Sequence, residues 1–289
     1  MDGDEQRLFA ARRGARQPDL VPVDVLARLV GGAPSVNHIE EMALDMGKLL
    51  TTQFPALSGE ASRLGAARFL DRMRAGAAVL FEHFGAAAPE VAHTSSSDTV
   101  RGWGAFATVL VTQEVGPRVE LLLPFAADAH FAVREWAWLA LRDLAVAHPL
   151  VVLRHLEPVA GLDDPLLRRF AVESLRPRGV WSRHIALFKE EPGHATALLD
   201  GVAPTISRYV QDSVANWVND VSRDHPEWAT STVERWRQDH GPVVERLARR
   251  ALRSLPAPAV LGSRSSGDPA ASACRAVTPA HAYGTDITT

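Results

Sequence analysis

The sequence predicts an all-α protein built as a HEAT-like α-solenoid, in which pairs of antiparallel helices repeat along the chain. Apolar residues recur at intervals of three and four, whereas the alternating pattern of a β-strand is scarce. Proline and glycine fall between these periodic stretches, as expected for breaks between helices. Five similar segments begin 33, 34, 43 and 34 residues apart, and a period of this length is typical of stacked helix pairs.

Three parts of the chain lie outside the repeats. Residues 1–20 are charged and poor in apolar side chains, which predicts a flexible N-terminus. Residues 21–95 contain three stretches with helical spacing (VPVDVLARLV, NHIEEMALDMGKLL and LGAARFLDRMRAGAAVLFEHF), so we expect an N-terminal helical bundle continuous with the solenoid. Residues 256–289 are rich in alanine, serine, proline and glycine, a composition that predicts a disordered tail.

Residues 96–255 carry the HEAT-like repeats. The five similar segments start at Val100, Val133, Leu167, Val210 and Val244. In the last four, further apolar residues follow four and eight positions after the first, which gives each helix an apolar stripe for the core. The stretches VELLLPFA and LVVLRHLEPVA are the expected partner helices. The longer interval before the fourth segment indicates an insertion around residues 176–192.

Helical geometry also predicts which side chains point away from the core. A residue two positions after the start of a stripe lies about 200° around the helix from it. Such residues should share one surface, the concave face of the array. They are Glu135, Leu139, Arg169, Glu173, Asp212, Asn216, Arg246 and Arg250, with Asp143 and Asp220 one turn further along. Acids and arginines on one face indicate a binding surface, although single exposed acids on helices are usually solvated.

Composition excludes several classes of protein. The formal net charge of −3 gives no general sign of a nucleic-acid binder. Cys274 is the only cysteine, which excludes a disulfide scaffold, and the eleven histidines are scattered, so we expect neither a metal nor a cofactor. No apolar run is long enough to span a membrane, and the N-terminal residues lack the apolar stretch of a signal peptide. We therefore expect a cytoplasmic protein.

Two stretches carry a family resemblance. RRFAVESLRPRGVW at 168–181 and RYVQDSVANWVNDVSRDHPEW at 208–228 resemble the HEAT-repeat DNA alkylation repair glycosylases of the AlkC/AlkD family. VREWAW at 133–138 and NHIEEMALDMGKLL at 37–50 are closer to the AlkC branch. The resemblance extends over most of residues 30–255. It implies a monomeric protein whose concave face cradles duplex DNA containing alkylated bases.

The resemblance further implies a monofunctional DNA glycosylase. Such enzymes hydrolyse the N-glycosidic bond of cationic N3- and N7-alkylated purines and do not draw the base into a pocket, unlike base-flipping enzymes. Because the lesion is positively charged, its glycosidic bond is already weak. The enzyme has to stabilise an oxocarbenium-like sugar and admit water. A carboxylate and aromatic ring faces can provide that stabilisation, while arginines hold the flanking phosphates.

The resemblance places these roles on particular residues. The acids that match the family's catalytic carboxylates are Glu135, Glu173, Asp212 and Asp220, and the first two are the favoured sugar-facing acids. The aromatic candidates for contact with the sugar or lesion are Trp136, Trp138, Trp181 and Trp217. Trp136 shares its repeat position with Trp103, which also fits packing between repeats. The candidates for binding DNA phosphates are Arg134, Arg168, Arg169, Arg176, Arg178 and Arg208.

Two other functions stay open at this point, because the fold alone does not decide the activity. One is a non-catalytic HEAT-repeat scaffold that binds a protein partner, and the other is a lesion sensor that binds DNA without cleaving it. A scaffold favours apolar anchors on the concave face, whereas a glycosylase needs carboxylates beside a cationic groove. The sequence leaves open the preferred adduct (small methyl lesions or bulky natural-product adducts), the essential carboxylate, a role for the tail and the oligomeric state.

Overall fold

The computed structural model describes residues 3–65, 68–179 and 182–256. Within these ranges the regular structure consists of α-helices and short 3-10 segments, without a strand, which confirms the all-α class. Residues Met1–Leu255 form one unit. The predicted disordered tail lies outside the described residues except for Pro256. Part of the N-terminal segment predicted to be flexible forms a helix and a 3-10 turn.

Six α-helices precede the repeats. They are α1 (Gly3–Ala10), α2 (Val23–Val30), α3 (His38–Ala43), α4 (Met46–Gln53), α5 (Phe69–Phe84) and α6 (Ala88–His93). The 3-10 segments of this part are Pro18–Leu20, Pro55–Leu64 and Gly85–Ala87. The N-terminal part is therefore helical, as the spacing of its apolar residues predicts.

The repeats contain the remaining helices of the described chain. These are α7 (Asp98–Val111), α8 (Val115–Ala126), α9 (Phe131–Ala140), α10 (Arg142–Ala147), α11 (Pro149–Ala160), α12 (Pro165–Ser174), α13 (Ala186–Glu190), α14 (Thr196–Val202), α15 (Arg208–Ser222), α16 (Pro226–His240) and α17 (Glu245–Ala251). Further 3-10 segments span Pro192–Ala195 and Gly241–Val244. The predicted insertion around residues 176–192 contains α13 and ends where the first of these segments begins.

The helices stack in two layers. The first layer consists of α5, α7, α9, α12, α15 and α17, each of which packs against the next. In the second layer, α8 packs against α6 and α11, and α11 packs against α14. α16 contacts α15 and α17. This succession of helix pairs confirms the HEAT-like arrangement that the repeat period predicts.

The predicted apolar stripes form the core between the layers. Val133, Ala137 and Leu141 have no exposed surface, and the same holds for the stripe of α15. Burial of a valine or leucine side chain contributes about 1.5–3 kcal/mol. The helices start where local signals predict, because Ser97 caps α7 through the N–H of Val100 and Pro165 opens α12. The stripes and caps together fix which face of each first-layer helix points outward.

Neighbouring first-layer helices approach each other closely through a tryptophan on one and a glycine on the other. Trp136 of α9 lies against Gly102 of α7, and Trp103 of α7 lies against Gly76 of α5. Both tryptophans have no exposed surface. A Cβ atom on Gly102 would be 2.6 Å from Cδ1 of Trp136, closer than atoms of folded proteins come. The glycines are therefore required for space.

We expect Gly102→Ala to lower the free energy of unfolding. The new methyl group would push on the Trp136 ring, and overpacking of a core costs about 1–3 kcal/mol. Replacing a helical glycine by alanine returns at most about 1 kcal/mol. Urea denaturation measures the difference. The matched control is Gly201→Ala in α14, where an added Cβ meets no atom within 4 Å, and it should be at least as stable as the parent. Equal stability of the two variants would contradict the close packing of α7 and α9.

Candidate functional site

Carboxylates and arginines of three first-layer repeats form a continuous network, which we call the carboxylate–arginine ladder; it consists of Glu135, Arg169, Glu173, Arg176 and Asp220. Nη2 of Arg169 lies 2.6 Å from Oε1 of Glu135 and 3.7 Å from Oε1 of Glu173. Nη1 of Arg176 lies 3.3 Å from Oε2 of Glu173. Arg176 also donates to both oxygens of Asp220, at 3.0 and 3.1 Å. Three of the four acids predicted for the site thus come together.

The repeat architecture explains this network. Arg169 and Glu173 are one turn apart on α12, where side chains share a face. Arg176 follows the end of α12, while Glu135 lies at the equivalent face of α9 and Asp220 near the end of α15. Because these helices pack side by side, the outward face of each one brings its charges next to those of its neighbour.

The two favoured acids differ in exposure. Glu135 is 24% exposed, and each of its oxygens accepts a hydrogen bond, Oε1 from Arg169 and Oε2 from Nε1 of Trp138 at 2.7 Å. Glu173 is only 4% exposed and accepts a further hydrogen bond from Oγ of Ser213 at 2.6 Å. Glu135 is therefore the ladder acid best placed to face a ligand, and Glu173 holds the two arginines in place.

Burial shifts the pKa values of the ladder's acids and arginines in opposite directions. Burial raises the pKa of Asp220, and the hydrogen bonds and charge of Arg176 oppose this rise without cancelling it. Burial lowers the pKa of Arg176, but Glu173 and Asp220 outweigh it and leave that pKa above its ordinary value. The same balance raises the pKa of Arg169 through Glu173 and Glu135. Both arginines are therefore cations at neutral pH.

Asp212 lies apart from the ladder. Its Oδ1 accepts from Nη2 of Arg246 at 2.6 Å and lies 2.9 Å from Nε of Arg250. These partners belong to α17, in the following repeat. Asp212 thus also pairs with arginines of a neighbouring repeat, but it does not contact the other three predicted acids.

Tyr209, which sequence reasoning missed, lies between two of the predicted arginines. The guanidinium carbon of Arg169 is 4.4 Å from the centre of the Tyr209 ring, and that of Arg134 is 5.2 Å from it. Nε of Arg134 also donates to the Tyr209 hydroxyl at 3.1 Å. Tyr209 is one of only two tyrosines, and it lies within the RYVQDSVANW stretch that carries the family resemblance. The position of a rare tyrosine within this stretch could have identified Tyr209 as a candidate site residue.

The tryptophans predicted to contact DNA require a correction. Trp136 and Trp217 have no exposed surface, and their Nε1 atoms donate to Glu41 at 3.2 Å and to the carbonyl of Leu175 at 2.9 Å. Both therefore pack in the core, where their ring faces cannot meet a sugar. Trp138 is 6% exposed and contacts the site through its bond to Glu135. Trp181 lies outside the described residues.

Most of the arginines predicted to bind phosphate already have partners inside the protein. The two in the ladder bind carboxylates, while Arg134 donates to carbonyls before α9 and Arg168 donates to a carbonyl of α14. Nη2 of Arg178 lies 2.6 Å from Asp224. Arg208 is exposed and has no ion-pair partner among the described residues. A phosphate near the ladder would therefore compete with existing bonds, which was not predicted.

A second buried pair joins the N-terminal helices to α9. The Glu41 carboxylate has no exposed surface and binds Nδ1 of His38 at 2.5 Å, as well as the indole of Trp136. The His38 ring meets the edges of Phe131 and Trp136. Burial lowers the pKa of His38, but the bond and charge of Glu41, helped by Glu135, outweigh this and raise it. This pair supports the helix that carries Glu135, and sequence reasoning missed it too.

The described residues offer no group of three or more histidine, cysteine or acidic side chains arranged to hold a metal ion. Within the same part of the chain, none of the helices combines the length and hydropathy that a membrane span requires. The chemical groups that the site presents are the fixed carboxylate of Glu135, the cations around it and the ring of Tyr209.

Comparison with solved structures shows what this fold is similar to. The chain aligns with the alkylpurine DNA glycosylase AlkC of Pseudomonas fluorescens, solved bound to DNA containing an abasic site analog, with a TM-score of 0.59 and 21% identity over 84% of this chain and 65% of that one. It also aligns with smu.31 from Streptococcus mutans UA159, with a TM-score of 0.52 and 18% identity over 63% of this chain and 92% of that one. The fold implied by the sequence resemblance is thereby confirmed.

Sequence comparison matches a smaller part of the chain than structure comparison does. No family model matches the chain. An 89-residue stretch is 34% identical to the uncharacterized protein YhaZ of Bacillus subtilis (strain 168), which covers 31% of this chain and 25% of that protein. The chain thus spans only a quarter of YhaZ and 65% of AlkC in these alignments.

The His38–Glu41 pair predicts a pH dependence of stability. Because the pKa of His38 is raised in the folded state, the stabilisation is fully present below its ordinary value of about 6.5 and is lost as the pH rises through the folded value. Burial also raises the pKa of Glu41, which gives a fall of stability of the same sign. Urea denaturation between about pH 6 and 9 should therefore show falling stability, and His38→Gln/Glu41→Gln should remove that slope. The control His155→Gln removes an exposed histidine of α11 and should keep the parent's slope. Unchanged slopes in both variants would contradict the pairing.

Proposed function

We propose that this chain is a DNA glycosylase that hydrolyses the N-glycosidic bond of cationic N3- and N7-alkylated purines in duplex DNA, without drawing the base into a pocket. The observation that carries this proposal is the Glu135 carboxylate, fixed between Arg169 and Trp138 on an outward face of the first layer. It is supported by the shared fold with AlkC, a protein solved on DNA with an abasic site analog. We expect a monomer that acts in the cytoplasm without a metal or cofactor.

The proposed reaction breaks the bond between C1′ of the deoxyribose and the purine nitrogen. The bonding electrons move to the base, whose positive charge they neutralise, so the leaving base needs no proton. C1′ becomes positively charged as the bond lengthens, and Glu135 stabilises that charge electrostatically. A water molecule then adds to C1′ and transfers a proton to Glu135 or to solvent, which leaves an abasic site.

The other residues of the site orient this carboxylate. Trp138 and Arg169 each hold one oxygen of Glu135, so the group is positioned before DNA binds. Tyr209 packs on Arg169 and limits the positions of its guanidinium. Glu173 is a positioning residue, because it anchors Arg169 and Arg176 from below the surface. An open face of this kind recognises a lesion by its charge and weak bond.

Release of alkylated bases tests the proposed activity directly. With methylated duplex DNA as substrate, we expect the protein to release 3-methyladenine or 7-methylguanine, measured by chromatography of the free base. Bulky N3- and N7-purine adducts are the second substrate class. Failure to release any of them from correctly folded protein would overturn the glycosylase proposal. Retained binding to lesion DNA would then indicate a sensor, and absence of DNA binding would indicate a protein-binding scaffold.

Substitutions of the acids test the site assignment. We expect Glu135→Gln to lower the single-turnover rate of base release by roughly 10²–10³-fold, the usual effect of removing one transition-state electrostatic partner. Glu173→Gln should cause a smaller loss of rate, together with a decrease of about 1.5–3 kcal/mol in unfolding free energy from weaker charged hydrogen bonds. Glu157→Gln, at an exposed acid of α11, is the control. Full activity of Glu135→Gln would refute its role and leave the reaction itself standing.

A further inference from the structure

Three arginines outside the ladder converge on one cavity. Arg74 of α5, Arg142 at the start of α10 and Arg183 before α13 line a space of about 340 Å³. Phe106 of α7 and Leu139 of α9 form part of its apolar wall. Leu139 lies one helical turn after Glu135, so the cavity opens on the same face of the first layer as the ladder. None of the three arginines is among the predicted phosphate ligands.

Arg142 is a buried cation that forms no ion pair with a carboxylate among the described residues. It is 4% exposed, and its Nε and Nη1 atoms donate to the backbone carbonyls of Arg183, Ser174 and Arg176. Its Nη2 atom is buried and has no hydrogen-bond partner. Burial, together with the nearby charge of Arg176, lowers the pKa of Arg142 to about 10. The charges of Asp220 and Glu173 oppose this shift without cancelling it. Because a buried cation is costly unless it is paired, an anion that binds at Nη2 would be stabilised.

A second buried arginine, Arg118, has its guanidinium hydrogen bonds satisfied within the protein. Arg118 has no exposed surface, and its Nη1 atom binds both oxygens of Asp143 at 2.7 and 2.9 Å. Its Nη2 atom donates to the carbonyl of Thr112 and to the side chain of Gln113. Every nitrogen of Arg118 therefore has an acceptor, whereas Nη2 of Arg142 has none.

Gly179 forms the wall beside Arg142. A Cβ atom on Gly179 would lie 2.1 Å from Oγ of Ser182 and 3.2 Å from both Cζ and Nη2 of Arg142, so the glycine lets the Ser182 hydroxyl approach this end of the guanidinium. Ser182 lines the same cavity, and its buried hydroxyl also lacks a hydrogen-bond partner. Two unpaired polar groups thus meet at one end of the cavity, and both can donate to an oxyanion.

The charge at this cavity is positive. Among the described residues that line it, Asp143 is the only acid, and both oxygens of that carboxylate are bound to Arg118. Arg183 is exposed and has no ion-pair partner in the part of the chain that the structure describes. Arg74 is 58% exposed, lies 3.4 Å from Asp71 and has its guanidinium carbon 6.0 Å from the centre of the Phe106 ring. We infer that this cavity is a binding pocket for a phosphate group, held by the fork of Arg142 and by Arg74 and Arg183 at the rim.

The phosphate has two possible sources, a DNA phosphodiester or free inorganic phosphate. The position on the same face as Glu135 favours the DNA backbone, and this choice of source rests on the proposed function. The pocket itself does not, because it follows from unpaired donors and charge alone. The source and the pocket can therefore be tested separately.

Inorganic phosphate is the probe for the pocket. Titrated into the full chain at constant ionic strength, it should raise the melting temperature and shift the side-chain Nε–H resonance of Arg142, while the fully bonded Arg118 provides an unshifted reference. Arg74→Ala/Arg183→Ala should weaken phosphate binding at least tenfold. The matched control, Arg154→Ala/Arg223→Ala, removes two exposed arginines elsewhere and should bind as the parent does. No shift at Arg142, or equal binding by both double variants, would overturn the pocket.

Duplex DNA is the probe for the source. The plot of the logarithm of the DNA association constant against the logarithm of the salt concentration has a negative slope. In Arg74→Ala/Arg183→Ala this slope should be less negative by roughly 0.9 than in the control double variant, the change expected for one lost phosphate contact. Equal slopes, with phosphate binding still lost, would support the pocket as a site for free phosphate and overturn its DNA role. If the parent binds phosphate at Arg142 but releases no alkylated base, the pocket stands and the proposed activity fails.

Discussion

Stacking of the first-layer helices takes charged side chains out of water, and a charge buried in this way is costly unless an opposite charge or hydrogen bonds from a neighbouring element offset it. Glu173 illustrates this constraint, because it is almost fully buried and is surrounded by Arg169, Arg176 and Ser213. The pairing also decides what is available for function. The Glu173 carboxylate is buried and bound to its neighbours, whereas the Glu135 carboxylate stays partly exposed to solvent. The same requirement makes the unbalanced charge of Arg142 informative.

The fold was largely predictable from the sequence because its signal is periodic. The stripes that begin at Val133 and Val210 recur at a fixed interval, and the helices found there bury them. The interval itself predicts paired helices, since a single amphipathic helix cannot bury its apolar face alone. Helix ends followed from prolines and capping residues such as Ser97. The glycine–tryptophan contacts between helices were not predictable, because they depend on the distance between helix axes.

The site was predictable only in part. Helical geometry identified Glu135, Arg169 and Glu173 as residues of one face, and the structure brings them into contact. Helical geometry did not predict how deeply these side chains are buried, because burial depends on how closely neighbouring helices pack. The burial of Trp217 could have been predicted, since it lies seven positions after Val210 and almost in line with that stripe. The stacking of Tyr209 on two arginines joins residues 40 or more positions apart and leaves no periodic trace.

The bond between Trp136 and Glu41 has a consequence for how the chain can be divided. Trp136 fills the space left by Gly102, and its indole nitrogen is satisfied by an acid that α3 supplies. The N-terminal helices therefore serve as the end cap of the solenoid, covering a surface that the repeats alone would leave open. A fragment starting at α7 would lose the Glu41 acceptor of this buried indole, and loss of a buried hydrogen bond costs about 1–3 kcal/mol. The stability of the repeat that carries Trp136 thus depends in part on α3.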